Sequence, residues 1–188
     1  MSGRAPHRLP ADLPPREAIR RMIRVDHAGE YGAARIYEGQ IAVLGRSRAA
    51  PAIRRMAAQE KRHLEAFDRL VVERRVRPTL LSPLWHVAGY ALGAATALLG
   101  ERAAMACTVA VEEVIDEHYG RQSASLAALP PEHADPELAA AVEEFRADEL
   151  EHRDTGIAHG AQDLPGNGLL SAAVKTGSRL AIWLSTRL

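Results

Sequence analysis

Apolar side chains recur every three or four residues along several long stretches of the chain, which is the period of an α-helix. The spacing predicts helices over about residues 16–44, 51–76, 101–126 and 136–159, with glycine- or proline-rich turns between them. Asp135 stands just before Pro136 and is expected to cap the fourth of these helices. The pattern therefore predicts an all-α chain.

Glutamates interrupt two of the predicted apolar faces at matching places. Glu30 lies in line with the apolar face of the first helix, and Glu112 lies in line with that of the third. When these two glutamates are aligned, Tyr37 and Tyr119 also match, because each lies seven residues after its glutamate. Because a lone buried carboxylate is costly, a matched pair of inward glutamates indicates a shared purpose. The chain is thus predicted to contain two helical hairpins of the same design.

Each hairpin continues with a Glu-x-x-His motif on its second helix. The first motif is Glu60 to His63 and the second is Glu149 to His152. Residues three apart on a helix share a face, so both side chains of each motif are expected to point inward. One inward Glu and one Glu-x-x-His from each hairpin form the ligand set of a two-metal carboxylate site in a four-helix bundle.

Electrostatics favours the same interpretation. Four carboxylates that converge without a cation would repel one another and take up protons, whereas two divalent metals remove the repulsion. Carboxylate oxygen and imidazole nitrogen suit iron or manganese, with zinc as a competitor. The predicted ligands are Glu30, Glu60, His63, Glu112, Glu149 and His152.

Glutamate 112 has an acidic neighbour that must be distinguished from it. Glu112 lies on the same helical stripe as Tyr119, whereas Glu113 lines up with Glu117 and is expected to be exposed. Tyr119 has two open interpretations, a redox role in catalysis or a hydroxyl that supports a ligand carboxylate. For Tyr37 the second interpretation is preferred.

Further polar residues lie close to the predicted ligands in sequence. Asp26 and Asp116 each stand one helical turn from a ligand glutamate, and either could orient a ligand histidine or be a surface carboxylate. For His118 a supporting role, a surface role and a catalytic role are all open. Gly29 and Gly32 flank Glu30 and suggest close approach by a neighbouring group, since glycine in a helix is otherwise unfavourable.

Two further segments are apolar or amphipathic. Residues 82–99 are apolar nearly all round, which is typical of a helix that is buried on every side or faces lipid. They lie where a four-helix bundle needs a long crossover between its hairpins. Residues 169–188 place Lys175, Arg179 and Arg187 against leucines, isoleucine and Trp183, a pattern that suits a membrane interface.

Composition narrows the class of protein. The chain has 188 residues, enough for one domain, and its 24 basic and 24 acidic residues give no bulk attraction to nucleic acid. Cys107 is the single cysteine, so an intramolecular disulfide and a Cys-x-x-Cys motif are both excluded. Residues 1–20 have no apolar signal segment and are predicted to be a flexible lead-in to one domain over residues 21–188.

From about residue 21 onward, the chain resembles the demethoxyubiquinone hydroxylases of ubiquinone biosynthesis, which are ferritin-like di-iron monooxygenases. The resemblance rests on the segments RVDHAGEYGAARIYEGQ, EKRH, ACTVAVEEVIDEHYGRQ and FRADELEHRDTG. These segments are far more specific than the Glu-x-x-His spacing, which ferritins, rubrerythrins and manganese catalases share.

The resemblance implies a ferritin-like four-helix bundle with an apolar crossover helix and a C-terminal amphipathic helix. It also implies that the six ligands hold two irons, with electrons from NADH or from the quinol. The expected reaction is O₂-dependent hydroxylation of a demethoxyubiquinol, 2-polyprenyl-3-methyl-6-methoxy-1,4-benzoquinol. The short N-terminus resembles bacterial members, so the expected location is peripheral, on the cytoplasmic side of the bacterial cell membrane. A homo-oligomer or a ubiquinone-biosynthesis complex is a further expectation from the family.

Two other functions fit parts of the pattern. A ferritin- or rubrerythrin-like protein that stores iron or scavenges peroxide would use the same ligands but would not need apolar membrane-seeking helices. A non-enzymatic scaffold that binds quinone or lipid would leave the inward glutamates and histidines unexplained.

Overall fold

The computed structural model describes residues 13–188, and all regular structure in that range is helical. The all-α prediction and the approximate helix positions are confirmed. Residues 1–12 of the predicted lead-in lie outside the described range, and the first helix already begins at Pro15. The helices are α1 (Pro15–Leu44), α2 (Ala50–Glu73), α3 (Ser82–Leu98), α4 (Glu101–Ala127), α5 (Pro136–Ala158) and α6 (Asn167–Ser185).

Helices α1, α2, α4 and α5 form a four-helix bundle made of two hairpins, with α3 as the crossover between them. Helix α1 runs antiparallel to α4. At one end the Gln40 amide donates to the carbonyl of Ala104 at 3.1 Å, and at the other end the Gln122 amide donates to Asp26 at 2.7 Å. This register brings the middle of α1 level with the middle of α4.

Two apolar clusters fill the bundle on either side of its middle. One contains Phe67, Leu138 and Val142, and the other contains Ile53 and Met105, all of them completely buried. Burial of a side chain of this size stabilises the fold by about 1.5–3 kcal/mol. The polar residues between the clusters are therefore held by apolar packing above and below them.

Local interactions explain where α5 begins and where α2 ends. The Asp135 carboxylate accepts from the Leu138 amide at 3.2 Å, which confirms the predicted cap of α5. Helix α2 ends at Glu73, slightly before the predicted end, because Arg75 takes a left-handed conformation with φ of 50°. The Arg20 guanidinium donates to the Arg75 carbonyl at 2.7 Å and ties this turn to α1.

Helix α3 packs on α1 with direct backbone contact. A Cβ placed on Gly93 would lie 1.9 Å from the Ile36 carbonyl oxygen, and a Cβ on Gly39 would lie 2.2 Å from the Tyr90 carbonyl oxygen. Of the two alternatives for this apolar helix, burial on every side is excluded, because Leu84 is 51% exposed on its outer face. No helix within residues 13–188 is long and apolar enough to cross a bilayer.

Replacing Gly39 by Ala should lower the free energy of unfolding by about 1–3 kcal/mol, because the added methyl group would force α1 and α3 apart. The matched control is Gly32→Ala on the same helix, where a Cβ meets nothing within 4 Å. The control should be neutral or stabilising by up to about 1 kcal/mol, because alanine is the better helix former. Denaturant unfolding of both variants measures the difference, and equal effects would contradict the close packing.

Candidate metal centre

The six glutamate and histidine side chains selected from the sequence converge in the middle of the bundle, and each is at most 3% exposed. They form two overlapping groups in which one ligand atom per residue lies within 4.8 Å of the others. Glu60 and Glu149 belong to both groups. Each group could therefore hold one metal ion. The groups are Glu30, Glu60, His63 and Glu149, and Glu60, Glu112, Glu149 and His152.

Both histidines direct Nδ1 toward the carboxylates. His63 Nδ1 lies 3.4 Å from Glu30 Oε2 and 3.3 Å from Glu149 Oε1. His152 Nδ1 lies 3.1 Å from Glu60 Oε1 and 3.0 Å from Glu149 Oε2. The two imidazoles thus face the same carboxylates from opposite ends of the cluster.

Several atoms of the cluster are buried without a hydrogen bond. Both carboxylate oxygens of Glu60, Oε2 of Glu30 and Nδ1 of His63 have no hydrogen-bond partner among the described residues. Leaving one buried polar group unsatisfied costs about 1–3 kcal/mol, and more when it is charged. A cation would satisfy all four atoms at once, and these oxygen and nitrogen donors are those that iron and manganese accept. The residues therefore fit a pair of such metals.

The protonation of the cluster reflects the same burial. Burial raises the pKa of Glu60 well above its usual value. Burial and the nearby Glu149 charge raise the pKa of Glu112 to about 8. Burial would lower the pKa of His63, but the nearby carboxylates of Glu149 and Glu30 outweigh it and raise that pKa to about 11. Without metal, protons therefore balance the negative charge, and a metal must displace them.

Each ligand histidine is held from behind by a residue of the opposite hairpin. His63 Nε2 lies 3.0 Å from Asp148 Oδ2, and His152 Nε2 lies 3.2 Å from Gln59 Oε1. An acceptor at Nε2 leaves Nδ1 free to face the cluster. Sequence reasoning missed both partners. The sequence did contain a signal for them, because each lies directly before the glutamate of a Glu-x-x-His motif.

The acidic residues that the sequence suggested for this role have other partners. Asp26 is buried, 3.0 Å from His118 Nε2, and it accepts from the Gln122 amide. Asp116 accepts from Arg146 Nε at 2.7 Å. Asp26 is thus paired with residues of α4 and Asp116 with Arg146 of α5, so neither carboxylate serves as the partner of His63 or His152. His118 is a partner of Asp26, and its role stays a prediction.

Two tyrosines support ligand carboxylates across the hairpins. The Tyr37 hydroxyl donates to Glu112 Oε1 at 2.9 Å, and the Tyr119 hydroxyl donates to Glu30 Oε1. Burial raises the pKa of both phenols well above the usual value, so both stay protonated donors. The interpretation of Tyr37 as a support is confirmed. A redox role for Tyr119 stays a prediction.

The two adjacent glutamates of α4 have different surroundings. Glu112 is buried in the cluster, whereas Glu113 is partly exposed and pairs with Lys175 of α6. Arg179 makes a second contact of this kind, with Glu117 at 3.2 Å. Glu113 therefore contributes to the attachment of α6 and not to the ligand cluster.

An apolar cavity of about 420 Å³ lies between α1, α3, α4 and α6. Its wall includes Gly29, next to Glu30 on α1, and Val111, next to Glu112 on α4. A Cβ on Gly29 or on Gly32 would meet nothing within 4 Å. The expected close approach holds only for the backbone of Gly32, where a Cβ on Gly89 of α3 would lie 2.8 Å from the Gly32 carbonyl oxygen. The missing side chains of Gly29 and Gly32 instead widen the cavity, which adjoins the cluster through α1 and α4.

Comparison with known proteins gives one consistent result. The family described as ubiquinone biosynthesis protein COQ7 matches residues 17–185. The chain is 56% identical to a 3-demethoxyubiquinol 3-hydroxylase of Rhodospirillum rubrum, over 99% of this chain and 87% of the relative. It is 54% identical to a mitochondrial NADPH-dependent 3-demethoxyubiquinone 3-hydroxylase of Homo sapiens, over 92% of this chain and 79% of the relative. A mitochondrial 5-demethoxyubiquinone hydroxylase of Saccharomyces cerevisiae is 41% identical, over 89% of this chain and 77% of the relative.

Proposed function

The chain belongs to the family of the ubiquinone biosynthesis protein COQ7, and we propose that it hydroxylates a demethoxyubiquinol with O₂ at a two-iron centre. The observation that carries this proposal is a buried Glu/His cluster and an apolar cavity on opposite sides of the same two helices. Relatives that match most of the chain carry the name of this hydroxylase. The substrate would be a benzoquinol with a polyprenyl tail.

Two irons would be held by the overlapping groups of the cluster. Glu30 and His63 would bind one metal, and Glu112 and His152 would bind the other. Glu60 and Glu149 belong to both groups and would serve both metals. When bound, iron would supply the redox chemistry that activates O₂, which amino-acid side chains do not provide. We expect the electrons to come from outside the protein, since the sequence carries no nucleotide-binding fingerprint. The family resemblance suggests NADH or the quinol as their source.

The protein's own residues would position this centre. Asp148 and Gln59 fix the two imidazoles, and Tyr37 and Tyr119 each fix one carboxylate. Ligands that are held by such outer partners keep their orientation and their basicity. The apolar packing above and below the cluster excludes water, which limits side reactions at an oxidising centre.

The cavity suits the tail of the substrate. Its walls are almost wholly apolar side chains of α1, α3, α4 and α6, and its volume is in the range typical of small-molecule sites. A quinol ring placed against Gly29 and Val111 would lie beside the two helices that carry Glu30 and Glu112. The tail would then extend between α3 and α6. A storage or scavenging protein would have no use for this cavity.

The outer faces of the same two helices support a proposal of membrane attachment. Leu84 and Val87 of α3 are 51% and 65% exposed, and Leu180 and Trp183 of α6 are 55% and 51% exposed. The Arg187 guanidinium lies over the Trp183 ring at 4.1 Å. Exposed leucine and tryptophan beside arginine suit the headgroup region of a bilayer. We therefore propose peripheral binding to the cytoplasmic side of a bacterial membrane.

The proposed function is tested by metal content and products together. The protein is purified anaerobically with iron, its metal is counted, and a short-chain demethoxyubiquinol and O₂ are added after reduction. We expect two irons per chain and a product heavier by one oxygen in mass spectrometry. Two irons with only peroxide or water as product would support the scavenging alternative. A protein that binds no metal would contradict the ligand assignment.

Replacing Glu112 by Ala should abolish iron at one of the two positions and reduce hydroxylation by at least about a hundredfold, because a ligand is lost. Glu113→Ala is the matched control, since it removes the adjacent carboxylate from outside the cluster. The control should keep two irons and most of the activity. Iron content and product formation of both variants measure this. Equal losses of iron and of activity in the two variants would contradict the choice of Glu112 over Glu113 as the ligand.

Replacing Gly29 by Leu should block the cavity without disturbing the metals. The new side chain would enter open space, so we expect normal iron content but at least about a tenfold loss in kcat/KM for the quinol. Gly168→Leu is the control, because it also has open space and lies outside the cavity wall. Unchanged kinetics in Gly29→Leu would exclude the cavity as the substrate site.

A further inference from the structure

Helices α3 and α6 form the outer wall of the apolar cavity, but each is anchored to a different helix. Helix α3 is held on α1, where Gly93 packs against the Ile36 backbone. Helix α6 is held on α4 through the Lys175–Glu113 and Arg179–Glu117 pairs. The two helices of the wall therefore have separate attachments to the bundle.

Two hydrogen bonds join the α3 segment to the end of α6. The Trp85 indole Nε1 donates to Ser185 Oγ at 3.0 Å. The Leu80 amide donates to the Leu188 carbonyl at 3.3 Å. Both bonds lie at the same end of the wall. They close the gap between the helices at that end.

Much of the rest of the gap is lined by small residues. Ala88 and Gly89 of α3 and Gly177 and Ala181 of α6 all line the cavity. Side chains of this size give little interdigitation to hold two helices together. Larger side chains also line this wall, and among them Trp85 makes a direct hydrogen bond from α3 to α6, with Ser185 as its acceptor.

The Trp85–Ser185 bond is unusual for its surroundings. Ser185 is 2% exposed, and both residues line a cavity that is otherwise apolar. A buried indole N–H needs an acceptor, and here the acceptor lies on another helix. Together with the Leu80–Leu188 bond, the Trp85–Ser185 bond closes this end of the gap, and it is the one of the two whose partners line the cavity.

We propose that Trp85 and Ser185 form a latch that controls entry of the polyprenyl tail between α3 and α6. This inference rests on the proposed function, because it takes the cavity as the tail site. Leu84 and Leu180 are exposed on either side of the gap, so a tail that leaves the bilayer meets apolar surface up to the latch. Release of the Trp85–Ser185 bond opens the wall on the cavity side of the Leu80–Leu188 bond, and its re-formation encloses the tail.

The test uses two conservative variants of the full-length, iron-loaded protein. Trp85→Phe keeps an aromatic ring and removes the N–H donor, and Ser185→Ala removes the acceptor. The probe is a quinone with a decyl tail, and the tail-less quinone is the control ligand. Stopped-flow measurement gives the release rate of each ligand from each variant and from the double variant.

Loss of one hydrogen bond should speed release of the decyl quinone by roughly two- to tenfold in each single variant. The double variant should show the same increase, because both substitutions remove the same bond. Release of the tail-less quinone and the iron content should not change. Backbone amides near the end of α6 should also exchange hydrogen faster in both variants.

Other results would overturn the latch. Wild-type release rates in both single variants, with iron retained, would show that the bond does not control access. Increases that multiply in the double variant would show that the two side chains act separately. Failure of the wild-type protein to bind the decyl quinone would instead remove the proposed substrate site, and the latch with it.

Discussion

The burial of four carboxylates and two imidazoles in the middle of one helix bundle is the constraint on which the rest of the structure depends. Charges in a protein interior are tolerated only when they are paired and hydrogen-bonded. The structure meets part of this need with Glu–His contacts, with two tyrosine hydroxyls and with partners behind the histidines. The oxygens of Glu60 stay without a hydrogen bond, and this is the need that bound metal would meet.

The supporting contacts run between the two hairpins. Tyr37 of the first hairpin supports Glu112 of the second, and Tyr119 of the second supports Glu30 of the first. Asp148 and Gln59 likewise reach the histidine of the opposite hairpin. Neither hairpin could assemble the cluster alone. The internal repeat is therefore a consequence of a site that needs two similar halves facing each other.

Helices α1 and α4 serve two environments at once. Their inner faces carry Glu30 and Glu112, and their outer faces line an apolar cavity through residues such as Gly29 and Val111. Helices α3 and α6 complete that cavity and present exposed leucines to the outside. This layering places an apolar cavity between an exposed apolar surface and the two helices that carry the buried polar cluster.

The sequence by itself determined the helices, the two-hairpin design and the six clustered residues. All three depend on period and spacing within one helix, and a glutamate on an apolar face stands out without knowledge of its neighbours. Only the tertiary structure decided that Asp148 and Gln59, not Asp26 and Asp116, hold the histidines. It also decided that Gly39 and Gly93 allow close packing whereas Gly29 opens a cavity. These contacts depend on the rotation and register of helices distant in sequence, which local periodicity does not fix.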